Sequence, residues 1–390
     1  MDRFLGGALA AVLLALTVPS ASNAQQTPVK IGVVFAMSGA HALLGKSVST
    51  TIAAWLAQHK NQVGGRPVEV IVRDDGESPE NSKRLAQELV INDHVDFLVG
   101  ANATPPAMAI MSVSTSAKVP FFIVNANNEG ILEGNPYSTR YALIWKDAVL
   151  PLARRALKDG AKTAYTISVD FASGILAQKI FGDAFTAGGG KVVGSLTVPL
   201  GNTEWSSYIL RVKDAKPGAV FVMAAGGPTA ISFLKAFNQA GLRATTKIYA
   251  TADLTSEQSL PVSGDDALGA ITSSNYSPLR DSALNRQFVA AFRGQIANPA
   301  VTDMPSFMDA QFWTIFTAID KVVAAQKGPL DTAKTMATLR GLSWEAPQGP
   351  VSLDPQTRDL RQNVYLRRTE RQNGQLVNID FDTFTPQQLQ

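Results

Sequence analysis

Residues 95–128 read VDFLVGANATPPAMAIMSVSTSAKVPFFIVNANN, and this stretch decides the fold. Two short runs rich in Val and Phe, 96–100 and 119–124, flank a longer segment, 105–117, which opens on two prolines and has a helical period. A strand, a helix and a second strand in this order are typical of the βαβ unit of a parallel sheet. We therefore predict an α/β fold.

The same alternation continues on both sides of this unit. Predicted strands cover 30–37, 68–74, 96–100, 119–124, 163–169, 192–198, 219–224, 247–251 and 268–274, and predicted helices cover 45–59, 79–92, 105–117, 148–159, 173–187, 206–215 and 229–240. Three further helices, 282–297, 304–326 and 332–340, precede a β-rich tail at 349–379. Because the pattern restarts after residue 145, we predict two doubly wound α/β lobes that the tail completes.

Length and composition agree with two large lobes. The chain has 390 residues, of which 45% are apolar and 17% charged, and domains average roughly 150 residues. Its 35 Lys and Arg against 32 Asp and Glu leave a net charge of +3, too small for a nucleic-acid-binding surface. The absence of cysteine excludes disulfides, thiolate metal sites and cysteine nucleophiles. We expect a globular protein without a nucleic-acid partner.

The N-terminus has the pattern of an export signal. Arg3 precedes an apolar run, 4–18, that is shorter than the ~20 residues of a membrane-spanning helix. Pro19 and the small residues that follow lead to Ser22-Asn23-Ala24, which suits signal peptidase. We predict that residues 1–24 are a signal peptide, cleaved after Ala24, and that the mature chain is soluble in the periplasm.

The side chains that usually carry catalysis are scattered. The three histidines, His41, His59 and His94, fall in different predicted elements, and no H-E-x-x-H or G-x-S-x-G motif is present. We therefore predict no metal site, no cofactor and no enzymatic activity. A secreted hydrolase is a remote alternative, which turnover of a chromogenic ester, amide or glycoside would reveal.

Polar residues follow two neighbouring predicted strands. Thr104 and Pro105 come after the strand at 96–100, where we expect Thr104 to cap the next helix and Pro105 to be its first residue. A helix start at the carboxyl edge of a parallel sheet suits an anion. The segment 125–128, with three Asn in four residues, follows the next strand. A self-satisfied cap and a simple turn are the alternatives to a ligand site here.

The order of these segments resembles a known family. VKIGVVFAMSG, VEVIVRDDGESPENSKRLAQELV, VDFLVGANATPPAMAI, VPFFIVNANN, VDFASG and APQGPVSLDPQTRD occur in the order and spacing of the periplasmic solute-binding proteins of branched-chain amino acid ABC transporters, over about residues 29–371. The resemblance implies a type I periplasmic binding fold, or Venus flytrap, whose two lobes are joined by three crossovers. It places 28–143 and 275–349 in one lobe and 144–274 and 350–390 in the other, with crossovers near Leu143, Ser274 and Gly349.

The resemblance also implies ligand-binding positions in the first lobe. Thr104 matches the Ser or Thr that holds the ligand carboxylate at a helix start. Ala126 matches a position that binds through its backbone, and Asn128 stands where amino acid binders usually have Thr or Ser.

The second lobe departs further from the amino acid binders. Ser173 and Gly226 occupy positions where aromatic residues are common, so the site has room for a larger or aromatic carboxylate. Asp253 aligns with the acidic group that pairs with an α-ammonium. Leu44 and Phe171 are expected to line an apolar wall or to belong to the core.

These positions imply capture rather than catalysis. We predict a monomeric solute-binding protein that takes an amino acid of the branched-chain type or a related small carboxylate and delivers it to an ABC permease in the inner membrane. A binder of aromatic carboxylates and a receptor subunit for a signalling partner, both on the same fold, are the alternatives.

Overall fold

The computed structural model describes residues 27–39, 42–224 and 226–389. The predicted signal peptide, 1–24, and its cleavage point after Ala24 lie outside the described residues, as does His41.

The first lobe is built on a six-stranded sheet. Its elements are β1 (Val29–Phe35), α1 (Ala42–Gln58), β2 (Gln62–Val63), β3 (Arg66–Asp74), α2 (Pro79–Ile91), β4 (Phe97–Gly100), α3 (Thr104–Ala117), β5 (Phe121–Ile123) and β6 (Ser138–Arg140). The strand order is β2-β3-β1-β4-β5-β6, and all neighbours are parallel except β2 and β3. β1 is apolar along nearly its whole length because helices cover both faces of the sheet.

The second lobe is built on a seven-stranded sheet. Its first part consists of α4 (Trp145–Lys158), β7 (Thr163–Val169), α5 (Ala172–Ala187), β8 (Lys191–Val198), α6 (Ser206–Ala215), β9 (Ala219–Met223), α7 (Gly227–Gln239), β10 (Lys247–Thr251), α8 (Leu260–Ser263) and β11 (Ile271–Ser274). Short 3₁₀ helices lie at Leu242–Ala244, Ala252–Thr255 and Gly264–Ala267.

The remaining chain serves both lobes. It contains α9 (Ala283–Arg293), α10 (Phe307–Ala324), α11 (Thr332–Leu339), β12 (Ser343–Ala346), β13 (Gly349–Leu353), β14 (Leu360–Arg361), β15 (Val364–Gln372), β16 (Gln375–Phe384) and α12 (Pro386–Leu389). β15 and β16 are antiparallel strands at one edge of the second sheet, whose order is β16-β15-β11-β10-β9-β7-β8. α9, α10 and α11 contribute buried side chains to the core of the first lobe. The predicted fold, two doubly wound lobes, is confirmed.

The tail passes from the first lobe to the second at a higher residue number than predicted. β12, β13 and β14 form a separate three-stranded sheet, and Val351, Leu353 and Leu360 are buried in the core of the first lobe. The assignment of 350–390 as a whole to the second lobe was therefore wrong for 350–361. Apolar alternation predicts strands there but does not say which of two cores receives their buried face.

The third crossover lies at residue 362 rather than at Gly349. The chain leaves the small sheet after β14 and enters the second sheet with β15. The first crossover runs from β6 to α4, and the second leaves β11 towards α9, close to the predicted positions.

Candidate functional site

The start of α3 differs in detail from the prediction. Its N-cap is Ala103, whose backbone is extended, and Thr104 is the first helical residue. The prediction of Thr104 as N-cap was wrong by one position, and Pro105 accordingly takes the second position of the helix. Ala103 cannot accept a hydrogen bond through its methyl group, and among the described residues no side chain caps this helix. Pro105 and Pro106 have no N–H and the Ala107 N–H donates to the Ala103 carbonyl at 3.1 Å, so the first turn of α3 offers one N–H, that of Thr104, to another acceptor at the carboxyl edge of the first sheet.

The Asn-rich segment after β5 connects three parts of the site. The Asn125 side chain donates to the carbonyl of Asn102, 3.0 Å away, and so joins the ends of β4 and β5. The Asn127 side chain donates to the carbonyl of Leu143 at 2.6 Å, and the Asn127 carbonyl accepts from the backbone N–H of Trp145 at 3.0 Å. The segment is therefore more than a turn, because it holds the first crossover.

Asn128 contacts the opposite lobe. Its Oδ1 accepts a hydrogen bond from Ser173 Oγ at 2.8 Å and a second from Trp145 Nε1 at 3.2 Å. Ser173 lies in the first turn of α5, and Trp145 belongs to the core of the second lobe. Two of the predicted ligand-binding residues, Asn128 and Ser173, are thus brought together and bind each other. Their contact with a ligand stays a prediction.

The backbone of Ala126 is held by a buried arginine. Arg140, 2% exposed, donates from Nη1 to the carbonyl of Ala126 at 3.0 Å and to that of Asn128. Its Nε donates to Asp359 Oδ1 at 2.8 Å. The Ala126 carbonyl therefore already has one donor, and the ligand contact predicted for this backbone is not tested by the structure.

Asp253 and Gly226 are neighbours in the second lobe. A methyl group placed on Gly226 would lie 3.6 Å from the Asp253 carbonyl oxygen and 3.7 Å from its Cβ. Gly226 has a φ of +73°, which favours glycine, and Asp253 Oδ2 accepts a hydrogen bond from the Thr251 hydroxyl at 3.1 Å. A side chain at position 226 would therefore contact Asp253.

A small cavity lies between the lobes beside the crossovers. Its volume is about 30 Å³, which is room for about two waters. Its lining comes from both lobes: Asn125, Asn127, Leu143, Trp145, Ala148, Thr251, Ala252, Asp253, Ser273, Ser274, Asn275, Phe307 and Gln311. Ser273 Oγ and Gln311 Oε1 are buried and have no hydrogen-bond partner among the described residues. Two polar atoms without partners therefore belong to residues that line a mostly apolar cavity.

Leu44 and Phe171 pack partly into the two cores. Leu44, in α1, contacts the core of the first lobe, and Phe171 contacts that of the second. Phe171 is the N-cap of α5, and its ring lies so close to Gly174 that a methyl group there would be 2.9 Å from it. Both residues are half-buried, and a ligand contact for either stays a prediction.

Charge near the first crossover is concentrated at the start of α4. Burial raises the pKa of Asp147 to about 6; the negative charges of Glu129 and Asp359 add to the rise, and Lys146 and Arg140 oppose it. The Asp147 carboxyl therefore loses its proton as the pH rises through about 6.

Four residues at the crossovers and the cavity were not predicted from the sequence: Arg140, Trp145, Ser273 and Gln311. Trp145 and Arg140 flank the predicted first crossover, which was a usable signal. Gln311 lies within α10, a helix buried over most of its length, where only the packing reveals that one polar side chain reaches the space between the lobes.

A model of the periplasmic binding protein family matches residues 28–375. The chain belongs to this family. It is a solute-binding protein of the kind that serves ABC transporters, as the sequence predicted. No helix among the described residues is long and apolar enough to span a bilayer, and those residues include no group of three or more His, Asp or Glu suited to a metal ion.

Relatives cover almost the whole chain. Leu/Ile/Val-binding protein homolog 6 of Brucella melitensis is 37% identical over 382 residues, which is 97% of each chain. A solute-binding protein from R. palustris, solved with 4-hydroxybenzoate, is 35% identical with a TM-score of 0.87 over 92% of this chain and 97% of its own. A solute-binding protein from Rhodopseudomonas palustris BisB5, solved with 3,4-dihydroxybenzoic acid, is 35% identical with a TM-score of 0.84 over 92% and 98%.

Proposed function

We propose that this protein captures a hydroxylated aromatic carboxylate of the hydroxybenzoate class between its lobes and delivers it to an ABC permease. Two observations support the proposal. The N-cap of α3, Ala103, makes no side-chain hydrogen bond to the helix start, and a cavity between the lobes is lined by Asp253, Ser273 and Gln311.

The carboxylate end is the start of α3. The N–H of Thr104 and the partial positive charge of a helix N-terminus stabilise an anion, and the hydroxyl of Thr104 is placed in the first turn to donate a further hydrogen bond. Thr104 is 7% exposed, so a carboxylate bound there is largely removed from water, where such hydrogen bonds are strongest.

The hydroxyl end is the inner cavity. Ser273 Oγ and Gln311 Oε1 lack hydrogen-bond partners among the described residues, and a ring hydroxyl that points inward can donate to one of them or to Asp253. An aliphatic side chain in the same place would leave these polar groups without partners, which costs free energy. The lack of a side chain at Gly226 leaves Asp253 uncovered on that side, since even a methyl group there would lie 3.6 Å from the Asp253 carbonyl oxygen.

A branched-chain amino acid is the second candidate. Its supporting observation is Asp253, which lines the space between the lobes and could pair with an ammonium group. The curated relative from Brucella melitensis carries a Leu/Ile/Val-binding name.

Membership of the family supports delivery to a permease. We propose that residues 1–24 direct export, that cleavage follows Ala24, and that the protein acts as a monomer in the periplasm, capturing the solute without converting it chemically. The sensing alternative predicts a signalling partner in place of a permease.

Calorimetric titration distinguishes the ligands. Purified protein, stripped of co-purified solute by unfolding and refolding, is titrated with 4-hydroxybenzoate, 3,4-dihydroxybenzoate, benzoate, leucine and valine. We expect 4-hydroxybenzoate or 3,4-dihydroxybenzoate to bind most tightly. Tight binding of leucine alone would contradict the aromatic class, and no binding of any carboxylate at millimolar concentration would contradict the proposed site.

Asp253→Asn refines the assignment. The amide keeps an oxygen acceptor but loses the charge, so a phenolic hydroxyl should lose at most about tenfold in affinity, whereas an ammonium should lose more. Asp214→Asn, an exposed position in α6, is the control.

A further inference from the structure

Arg140 is a buried cation at the end of an edge strand. It is the last residue of β6, and its side chain is 2% exposed. Its ion-pair partner, Asp359, is 219 residues further along the chain and itself 26% exposed. Burying a guanidinium is costly unless its donors are used, and replacing such a pair by apolar residues is often neutral or stabilising. The pair is therefore poorly explained by stability alone.

The two Nη1 hydrogen bonds of Arg140 hold one segment, residues 126–128. Nη1 donates to the carbonyls of Ala126 and Asn128, while Nε donates to Asp359. A planar guanidinium binds several acceptors in a fixed relative geometry, which a lysine ammonium cannot do. Arg140 thus sets the path of the backbone from 126 to 128 and anchors that path to the segment before β14.

The segment held in this way makes the contact between the lobes. With the Asn128 carbonyl held by Arg140, the Asn128 side chain is presented to Ser173 and Trp145, both in the second lobe. Asn127, between the two held carbonyls, binds the first crossover. Arg140 therefore acts on both the hinge and the interlobe contact through a single short loop.

We propose that Arg140 is a positioning residue for lobe closure: it orients Asn128 so that the closed arrangement is stabilised, and it does so through Asn128 rather than by contact with the solute. Asp359 holds Arg140 in the required orientation. The effect on solute retention rests on the proposed function, whereas the effect on Asn128 does not.

The indole N–H of Trp145 reports on the position of Asn128 without any solute. In ¹H–¹⁵N spectra of the ligand-free protein, with resonances assigned through Trp→Phe variants, Asn128→Ala should shift the Trp145 indole resonance and speed its exchange with water. Arg140→Lys should produce the same change. The indole of Trp205, which donates to Ser232 Oγ at 3.0 Å within the second lobe, should stay unchanged in both variants. A folded Arg140→Lys protein with an unmoved Trp145 resonance would overturn the proposal.

Asp359→Asn keeps the test decisive if Arg140→Lys does not fold. This variant leaves the guanidinium in place but weakens its anchor, and we expect a smaller shift of the Trp145 resonance in the same direction. No shift in a folded Asp359→Asn protein, with Arg140→Lys unfolded, would count against a positioning role.

Solute dissociation tests the consequence for binding. With whichever carboxylate the wild-type protein binds, Arg140→Lys should raise the dissociation rate about tenfold, as expected when charged-group hydrogen bonds are lost. In the Asn128→Ala background the same substitution should add little, because its route of action is gone. Additive effects would contradict the proposal. If no carboxylate binds the wild type, the proposed ligand class fails, and the Trp145 resonance still decides the role of Arg140.

Discussion

Gln362 Nε2 donates a 2.8 Å hydrogen bond to the carbonyl of Tyr141, so that the third crossover is tied directly to the first. Gln362 Oε1 accepts from Asn275 Nδ2 at 2.9 Å, which adds the second crossover. All three residues are at most 3% exposed. One amide side chain therefore joins the three connections between the lobes, and any motion of the lobes must bend the chain around it.

We expect Gln362→Leu to lower the free energy of unfolding by about 2 to 4 kcal/mol, because it leaves the buried Tyr141 carbonyl and the Asn275 amide without partners. Urea denaturation measures this loss. Gln375→Leu, at an exposed position in the same part of the chain, is the control and should change stability little. Equal stabilities of the two variants would show that the crossovers do not depend on this amide.

Thr104→Ala should weaken carboxylate binding by roughly 1 to 3 kcal/mol, the range for a hydrogen bond to a charged group. Calorimetry with 4-hydroxybenzoate measures the change. Ser112→Ala removes an exposed hydroxyl from the same helix, where it bonds to the Ala109 carbonyl, and should leave affinity unchanged. Unchanged affinity in Thr104→Ala would remove this hydroxyl from the site.

Gln311→Met should reduce the preference for 4-hydroxybenzoate over benzoate. The substitution keeps the length of the side chain but removes the buried oxygen that we propose accepts the ring hydroxyl. The dissociation constant of benzoate divided by that of 4-hydroxybenzoate should fall about tenfold. Gln287→Met, on the exposed side of α9, is the control. A constant ratio would place the hydroxyl elsewhere.

Gly226→Ala should lower affinity as well as stability. Its φ of +73° and ψ of −172° lie in a region that essentially only glycine adopts, and the cost to folding should be about 1 to 3 kcal/mol. Gly264 has a similar backbone conformation, with φ +55° and ψ −149°, and nothing lies within 4 Å of an added methyl group, so Gly264→Ala should cost a similar amount of stability but leave binding intact. If both variants bind aromatic carboxylates like the wild type, the space beside Asp253 is not used by the ligand.

Asp147 should make stability depend on pH. Its pKa rises from 3.8 to about 6 on folding, so the folded state holds a proton that the unfolded chain has released. The contribution is fully present below about pH 4 and is lost as the pH rises through about 6. Asp147→Asn should abolish it, and its stability relative to wild type should increase by about 2 kcal/mol between pH 4 and pH 8. If the free energies of unfolding of Asp147→Asn and wild type differ by the same amount at every pH from 4 to 8, the raised pKa of Asp147 is contradicted.

Much of the architecture can be predicted from the sequence. The continuous apolar runs of β1, β4 and β9 predict strands buried on both faces, and the helical periods between them predict parallel neighbours. The position of Thr104 and the Asn-rich segment at the ends of adjacent strands predicts that they share one edge of a sheet, because parallel strands end on the same side. Family membership follows from the same segments.

The sequence by itself determined the elements and their pairing into two lobes, because strand and helix preferences depend on residues a few positions apart. Tertiary structure alone decided that Ala103 rather than Thr104 is the N-cap of α3, that 350–361 packs with the first lobe, and that Arg140 reaches Asp359. Each of these depends on which distant surfaces meet, and a hydrogen bond between residues 219 positions apart has no local signature. Packing determines which groups lie next to each other in the interior, and a buried polar group must form its hydrogen bonds with those neighbours.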